Sequence, residues 1–156
     1  MIRSTLVGLP RSRTYWFSQL LTYQDYHCFH CYPYYKVEVP EGKILLNSTC
    51  VPYSGIGGDP VIIERDLEES VDSFLKFIKV PMSQLAIESM YTHTMAALDE
   101  LRAKPHLDVK YEDIDDRLEE ILAYMGVELP ASRVLEFQKI NLQTSDDGSS
   151  SVSYNI

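Results

Sequence analysis

The run Ser4-Thr5-Leu6-Val7-Gly8-Leu9-Pro10-Arg11-Ser12-Arg13-Thr14-Tyr15-Trp16-Phe17-Ser18-Gln19-Leu20-Leu21 changes character twice. Ser4 to Gly8 is a short apolar stretch closed by Gly8, Leu9 and Pro10, which reads as a buried strand running into a loop. From Thr14 to Leu21 the residues Trp16, Phe17, Leu20 and Leu21 are spaced to pack one side of a helix. A strand, a tight loop and a helix in this order turn backbone N–H groups and a helix dipole toward one point, the arrangement that holds a phosphate.

Outward from this unit the element types keep alternating. Thr22 to Tyr35 is crowded with tyrosines, histidines and a phenylalanine in no clean period, and reads as an ordered loop. Lys43 to Thr49 and Val61 to Glu64 read as two further strands, separated by a turn-rich stretch with Gly55, Gly57, Gly58 and Pro60. Asp66, followed three residues later by Glu69, caps a helix whose stripe is Leu67, Val71, Phe74, Leu75 and Ile78 and which Pro81 ends. A longer helix is expected from Ser83 to Arg102, with Ile87, Tyr91, Thr94, Leu98 and Leu101 on one face. Leu107 to Tyr111 reads as a strand, Asp115 to Met125 as a helix stopped by Gly126, and Ala131 to Lys139 as a last short helix. The expectation is one α/β domain over residues 1–140, a parallel sheet between helices in three layers, with a polar, flexible tail at 141–156. Ligands of such sheets bind at the carboxyl ends of the strands, beside loops such as Gly8 to Thr14.

Composition narrows the partners. The 156 residues carry 14 basic and 23 acidic side chains, a net charge of -9, which opposes wrapping nucleic acid or coating an anionic membrane. The deficit is uneven: Met1 to Lys43 holds five basic against three acidic residues, whereas Asp99 to Glu136 holds five basic against eleven acidic. The amino-terminal end can therefore hold a small anion within an acidic protein. No leader pattern or apolar run of about 18 residues is read, and three cysteines, Cys28, Cys31 and Cys50, are an odd number; both point to a reducing, cytoplasmic setting.

Chemistry concentrates in the first loop. A Walker A motif would need Gly, Lys and Ser or Thr at positions 13 to 15, where the chain has Arg13, Thr14 and Tyr15, so a nucleotide kinase ranks third among the readings. The run Pro10-Arg11-Ser12-Arg13-Thr14-Tyr15-Trp16 does resemble the 5'-phosphosulfate loop of sulfotransferases, Pro-Lys/Arg-Ser-Gly-Thr-x-Trp, departing from it at Arg13. The family's second signature is an Arg after a strand and a Ser eight residues on; here these are Arg65 after Val61–Glu64 and Ser73 in the helix that follows. Tyr111-Glu112-Asp113 echoes a third segment, whose Tyr lies near adenine. The resemblance implies a P-loop NTPase-like, sulfotransferase-like fold of reduced size, similar to compact stand-alone members of bacteria and phages, acting in the cytoplasm, or the host cytoplasm if phage-encoded.

It further implies 3'-phosphoadenosine 5'-phosphosulfate (PAPS) as donor and no metal. Arg11 would face the 5'-phosphate and the bridging oxygen, assisted by Ser12, Thr14 and the additional charge of Arg13. Trp16 would stack on adenine near Tyr111, and Arg65 and Ser73 would hold the 3'-phosphate. The family's Arg-x-Gly-x-x-Gly segment has no counterpart in a tail that reads TSDDGSSSVSYNI. Transfer to a hydroxyl or amine of a small molecule or glycan needs a base. Many members use a His in Lys-Thr-His-Leu-Pro, where this chain has Ser48-Thr49-Cys50-Val51-Pro52; the loop after the first helix instead offers His30 and, second, His27. His27-Cys28-Phe29-His30-Cys31 packs four ligand types too closely to close on one tetrahedral ion, so the thiols read as packing groups. The alternative is a catalytically inactive member of this fold that binds a nucleotide or a partner protein and regulates or inhibits it.

Overall fold

The structure is a computed structural model that describes residues 1–32, 38–53, 55–144 and 150–154. Five strands, β1 (Ser4–Gly8), β2 (Tyr26–His30), β3 (Ile44–Thr49), β4 (Val61–Glu64) and β5 (Leu107–Lys110), form one sheet in the order β2-β3-β1-β4-β5. Every pairing is parallel, with Ser4 opposite Leu46, Leu6 opposite Val61 and Val61 opposite Leu107. Helices α1 (Thr14–Leu21), α2 (Leu67–Phe77), α3 (Gln84–Arg102), α4 (Leu118–Met125) and α5 (Ala131–Gln138) cover it.

Strand alternation divides the core between the two faces. Leu6, Val61, Ile63 and Val109 pack with Trp16, Phe17, Leu20 and Leu21 of α1 and with Leu118, Ile121 and Met125 of α4. Val7 and Ile62 point the other way, onto Ile87, Tyr91, Leu98 and Leu101 of α3. The five α3 residues expected on one face are the ones that are buried. Asp66 accepts a hydrogen bond from the Glu69 amide at 3.0 Å, and Ser83 caps α3 by accepting from Ala86. Gly126, at φ 67, closes α4 in the left-handed conformation that glycine tolerates best.

Four elements depart from the sequence expectation. The segment Thr22 to Tyr35, read as a loop, contains β2, an edge strand paired to β3 from Tyr26↔Ile44 to His30↔Ser48. Its aromatic and imidazole side chains blur the two-residue period, because Cys28 is buried in one core while neighbouring Phe29 is buried on the other face. Second, Tyr111–Asp113 forms a single 3-10 turn, so the following helix begins at Leu118 rather than at Asp115. Third, Leu67 and Leu75 of the α2 stripe are 40% and 48% exposed, since α2 and α3 leave an apolar groove between them. Fourth, where a polar tail was expected, β6 (Ile140–Thr144) and β7 (Ser150–Tyr154) pair antiparallel, with β6 against α1 and α5. Residues 145–149 and 155–156 of that tail, and Tyr34 and Tyr35 of the expected loop, lie outside the described residues. No helix among the described residues is long and apolar enough to cross a membrane.

Candidate functional site

Because β1 is central, with β3 on one side and β4 on the other, the loop after it opens where the strand order reverses, the place where open α/β sheets bind ligands. Arg11 and Arg13 both take left-handed backbone angles, φ 68 and 63, on either side of Ser12. Such turns gather backbone N–H groups into anion-binding concavities. Close approach, not backbone freedom, requires Gly8: a Cβ there would meet Ser12 Cβ at 3.0 Å and Ile63 at 3.3 Å.

Several donors of this loop have no internal partner. Ser12 is fully buried and its Oγ has no hydrogen-bond partner. Arg13 supplies no side-chain cap to α1, so first-turn amides of that helix face the loop with its positive dipole end. A buried hydroxyl and a helix N-terminus aimed at one place are the donor set an anion satisfies.

Two arginines complete the cradle from other elements. Arg65, directly after β4, donates from Nη1 to the Arg11 carbonyl, and Arg11 Nε donates to Ser73 Oγ of α2 at 3.3 Å. The Arg11 guanidinium lies 4.3 Å from the Phe77 ring centroid, and that of Arg65 lies 4.0 Å from the Tyr111 ring. Burial, reinforced by the neighbouring Arg65 charge, lowers the Arg11 pKa from its ordinary value. Among the described residues neither arginine has a carboxylate within ion-pair distance, and buried Arg65 Nε has no partner. Like charges held together without a counter-ion favour an added anion.

Three hydroxyls that the sequence reading passed over bolt the loop in place. Ser70 Oγ donates to the Pro10 carbonyl at 2.6 Å and meets Tyr91 Oη at 2.9 Å, while Ser48 Oγ donates to the Thr14 carbonyl at 2.6 Å. Ser70 was legible only as the small residue on the inner side of an amphipathic helix. Ser70→Ala would leave a buried carbonyl short of a donor, and we expect about 1–3 kcal/mol of destabilisation in urea unfolding, with weaker nucleotide binding; an unchanged midpoint would remove the bolt.

Arg13 is held twice, by Asp115 at 3.1 Å and over the Trp16 ring at 3.9 Å. A left-handed non-glycine residue costs about 1–2 kcal/mol. Arg13→Gly should therefore be more stable to heat than Arg13→Ala by about 1 kcal/mol, since both lose the contacts and only alanine keeps the strain; the opposite order would contradict this backbone.

The remaining expected residues divide. Trp16 is 1% exposed, its indole N–H donates to the Phe137 carbonyl at 2.9 Å, and Arg13 covers its ring. Its place is the core under the loop. Tyr111, under Arg65, lines a cavity of about 990 Å³ at the ends of β4 and β5. His30 ends β2 at the carboxyl edge of the sheet, with Nδ1 3.2 Å from the Ser48 carbonyl and Tyr15 edge-on at 5.4 Å. His27 is three residues back on the opposite strand face, about 10 Å from that edge, against Phe29, with its pKa lowered by burial and by Lys43. The structure brings His30 to the loop and not His27, because a three-residue step along a strand reverses the face.

Sheet order, loop and flanking helices together define a sulfotransferase-like P-loop α/β fold. Among solved structures the chain is similar to the mouse sulfotransferase SULT7A1 complexed with PAP, with a TM-score of 0.60 and 14% sequence identity over 88% of this chain. The chain spans 63% of that protein's length. No protein-family model matches the sequence. No curated protein matches it either.

Proposed function

We propose that the protein binds a 3'-phosphorylated adenine nucleotide and transfers a sulfuryl group from PAPS to a hydroxyl or amine of a small molecule or glycan. The convergence of Arg65 and Ser73 on Arg11, each from a different element, carries the reading. The unpartnered Ser12 Oγ and Arg65 Nε and the uncapped start of α1 fit phosphate oxygens. The cavity beside Tyr111, with Arg65 on its wall, is the space assigned to the nucleoside. The mouse protein's complex with PAP agrees with this ligand class.

Bound PAPS supplies the sulfuryl group together with a bisphosphorylated leaving group. Arg11, fixed by Ser73 and backed by Phe77, neutralises charge that develops on the leaving 5'-phosphate. Ser12 and Thr14 add hydrogen bonds at the same oxygens, and Arg13 adds charge at the rim. Arg65 and Ser73 bind the 3'-phosphate. His30, steadied by the Ser48 carbonyl, takes the proton of the attacking acceptor. A reducing cytoplasm is the compartment that suits three unpaired thiols.

A second reading, a binding protein of the same fold without turnover, is favoured by Arg13, whose side chain is spent on Asp115 and Trp16 rather than left for a ligand. The test is PAP release from PAPS in the presence of phenols, aliphatic alcohols, amines and oligosaccharides. Release with one acceptor class supports transfer. PAP binding without release from any acceptor supports the second reading, and no PAP binding contradicts both.

A further inference from the structure

At the carboxyl edge of the sheet, beside the anion loop, two thiols meet that the proposed reaction does not use. Cys31 follows the last residue of β2 and Cys50 the last residue of β3, in a register that sets His30 opposite Ser48. Their sulfurs are 3.7 Å apart and both cysteines are free. Adjacent strands run about 4.8 Å apart, inside the Cα separation that a disulfide spans. Cys31 sits at φ 54, so its backbone leaves the extended conformation of the strand.

We propose that Cys31 and Cys50 are a redox modification site: a pair of thiols that hydrogen peroxide closes into a reversible disulfide. Closure requires the sulfurs to approach by about 1.7 Å, to a bond of about 2.05 Å, a movement within reach of two chain segments just past their strands. His30 lies 3.8 Å from Cys31 Sγ, and the hydrogen bond from Cys50, aided by that ring, holds the Cys31 thiol well below the usual range. Cys31 is thus the nucleophile and Cys50 the resolving thiol. Cys31, at 3% exposure, is closed to a bulky oxidant, so a small one such as hydrogen peroxide is the oxidant the site admits. Cys28 is no competitor, because burial in the core pushes its thiol up. Among the described residues no three His, Cys, Asp or Glu side chains form a group that could hold a metal ion.

The chemistry balances. The Cys31 thiolate attacks one peroxide oxygen, the O–O bond breaks, and the departing hydroxide takes a proton to leave as water. The Cys50 sulfur then attacks the Cys31 sulfenic sulfur, the S–O bond breaks, and the Cys50 proton leaves with that oxygen as a second water. Two electrons pass from the sulfurs to the peroxide. The bridge would replace an ionisable pair whose charge reaches Arg11 with a neutral one, and a dithiol reductant would restore it.

The test is peroxide treatment of the whole chain, alkylation of remaining thiols under denaturing conditions, and mass mapping after chymotryptic cleavage, which separates Cys28 from Cys31 at Phe29. The expected result is one linked pair, Cys31 with Cys50, lighter by two hydrogens, with Cys28 alkylated and the link lost after dithiothreitol. In Cys50→Ser, Cys31 should stop at a sulfenic acid that dimedone traps. Three alkylated cysteines after peroxide, or a bond that includes Cys28, would overturn the proposal. The readout needs no nucleotide, so it succeeds or fails independently of the transferase reading.

Discussion

Arg65→Ala will lose PAP affinity by roughly tenfold to a hundredfold, the worth of one charge-assisted contact of about 1.5–3 kcal/mol, while ADP affinity changes far less. The difference arises because Arg65 and Ser73 are assigned to the 3'-phosphate, which ADP lacks. Part of the loss will be shared by both nucleotides, since Arg65 also donates to the Arg11 carbonyl and helps fix the loop. Arg65→Lys separates the two parts: it keeps a charge but cannot both hold that carbonyl and fork toward a phosphate. Calorimetric titration of both variants with PAP and ADP measures the effect. Equal losses for the two nucleotides would remove the 3'-phosphate assignment and leave Arg65 as a positioning residue for the loop.

His30→Ala will lower the transfer rate by roughly 10²–10⁴-fold, the usual contribution of a positioned general base, and leave PAP binding within about threefold of the parent. The second half of the statement discriminates. His30 packs against Tyr15 and Cys31 and touches the Ser48 carbonyl, so a purely structural role would disturb the Ser48–Thr14 bolt and weaken binding as well. His30→Gln retains a donor for that carbonyl without the base. It should bind PAP normally and transfer as slowly as the alanine variant. Full activity in either variant would move the base elsewhere.

How much of this is legible in the sequence depends on what each residue has to signal with. β1 and α1 are legible because Gly8, Leu9 and Pro10 punctuate two apolar runs of different period. α2 and α3 announce their starts through Asp66 and Ser83, whose side chains cap as their types predict. β2 is not legible, because on an edge strand with cover on both faces Tyr26-His27-Cys28-Phe29-His30 has no polar side to alternate with. The pairing of Ile140–Thr144 with Ser150–Tyr154 is hidden for another reason: its serines and threonines read as linker composition.

The site divides along similar lines. Arg65 and Ser73 stand out by spacing after a strand and within a helix, and the fold brings both onto Arg11. Ser48 and Ser70 carry no pattern of their own, since a buried serine becomes recognisable only when its carbonyl partner is known. A motif gives a position but not a facing, and that is why Trp16 matches the loop pattern and yet lies in the core. The same limit hid the meeting of Cys31 with Cys50, which are 19 residues apart in sequence and become neighbours through the β2–β3 register.

A cradle selective for a 3'-phosphorylated adenine nucleotide is tested by calorimetric titration of the whole chain with PAP, ADP and ATP at one fixed salt concentration. The expected result is saturable binding of PAP, with ADP and ATP weaker by at least about tenfold, the order of one lost charge-assisted contact. Equal affinities for the three, or no heat with any of them, would contradict it.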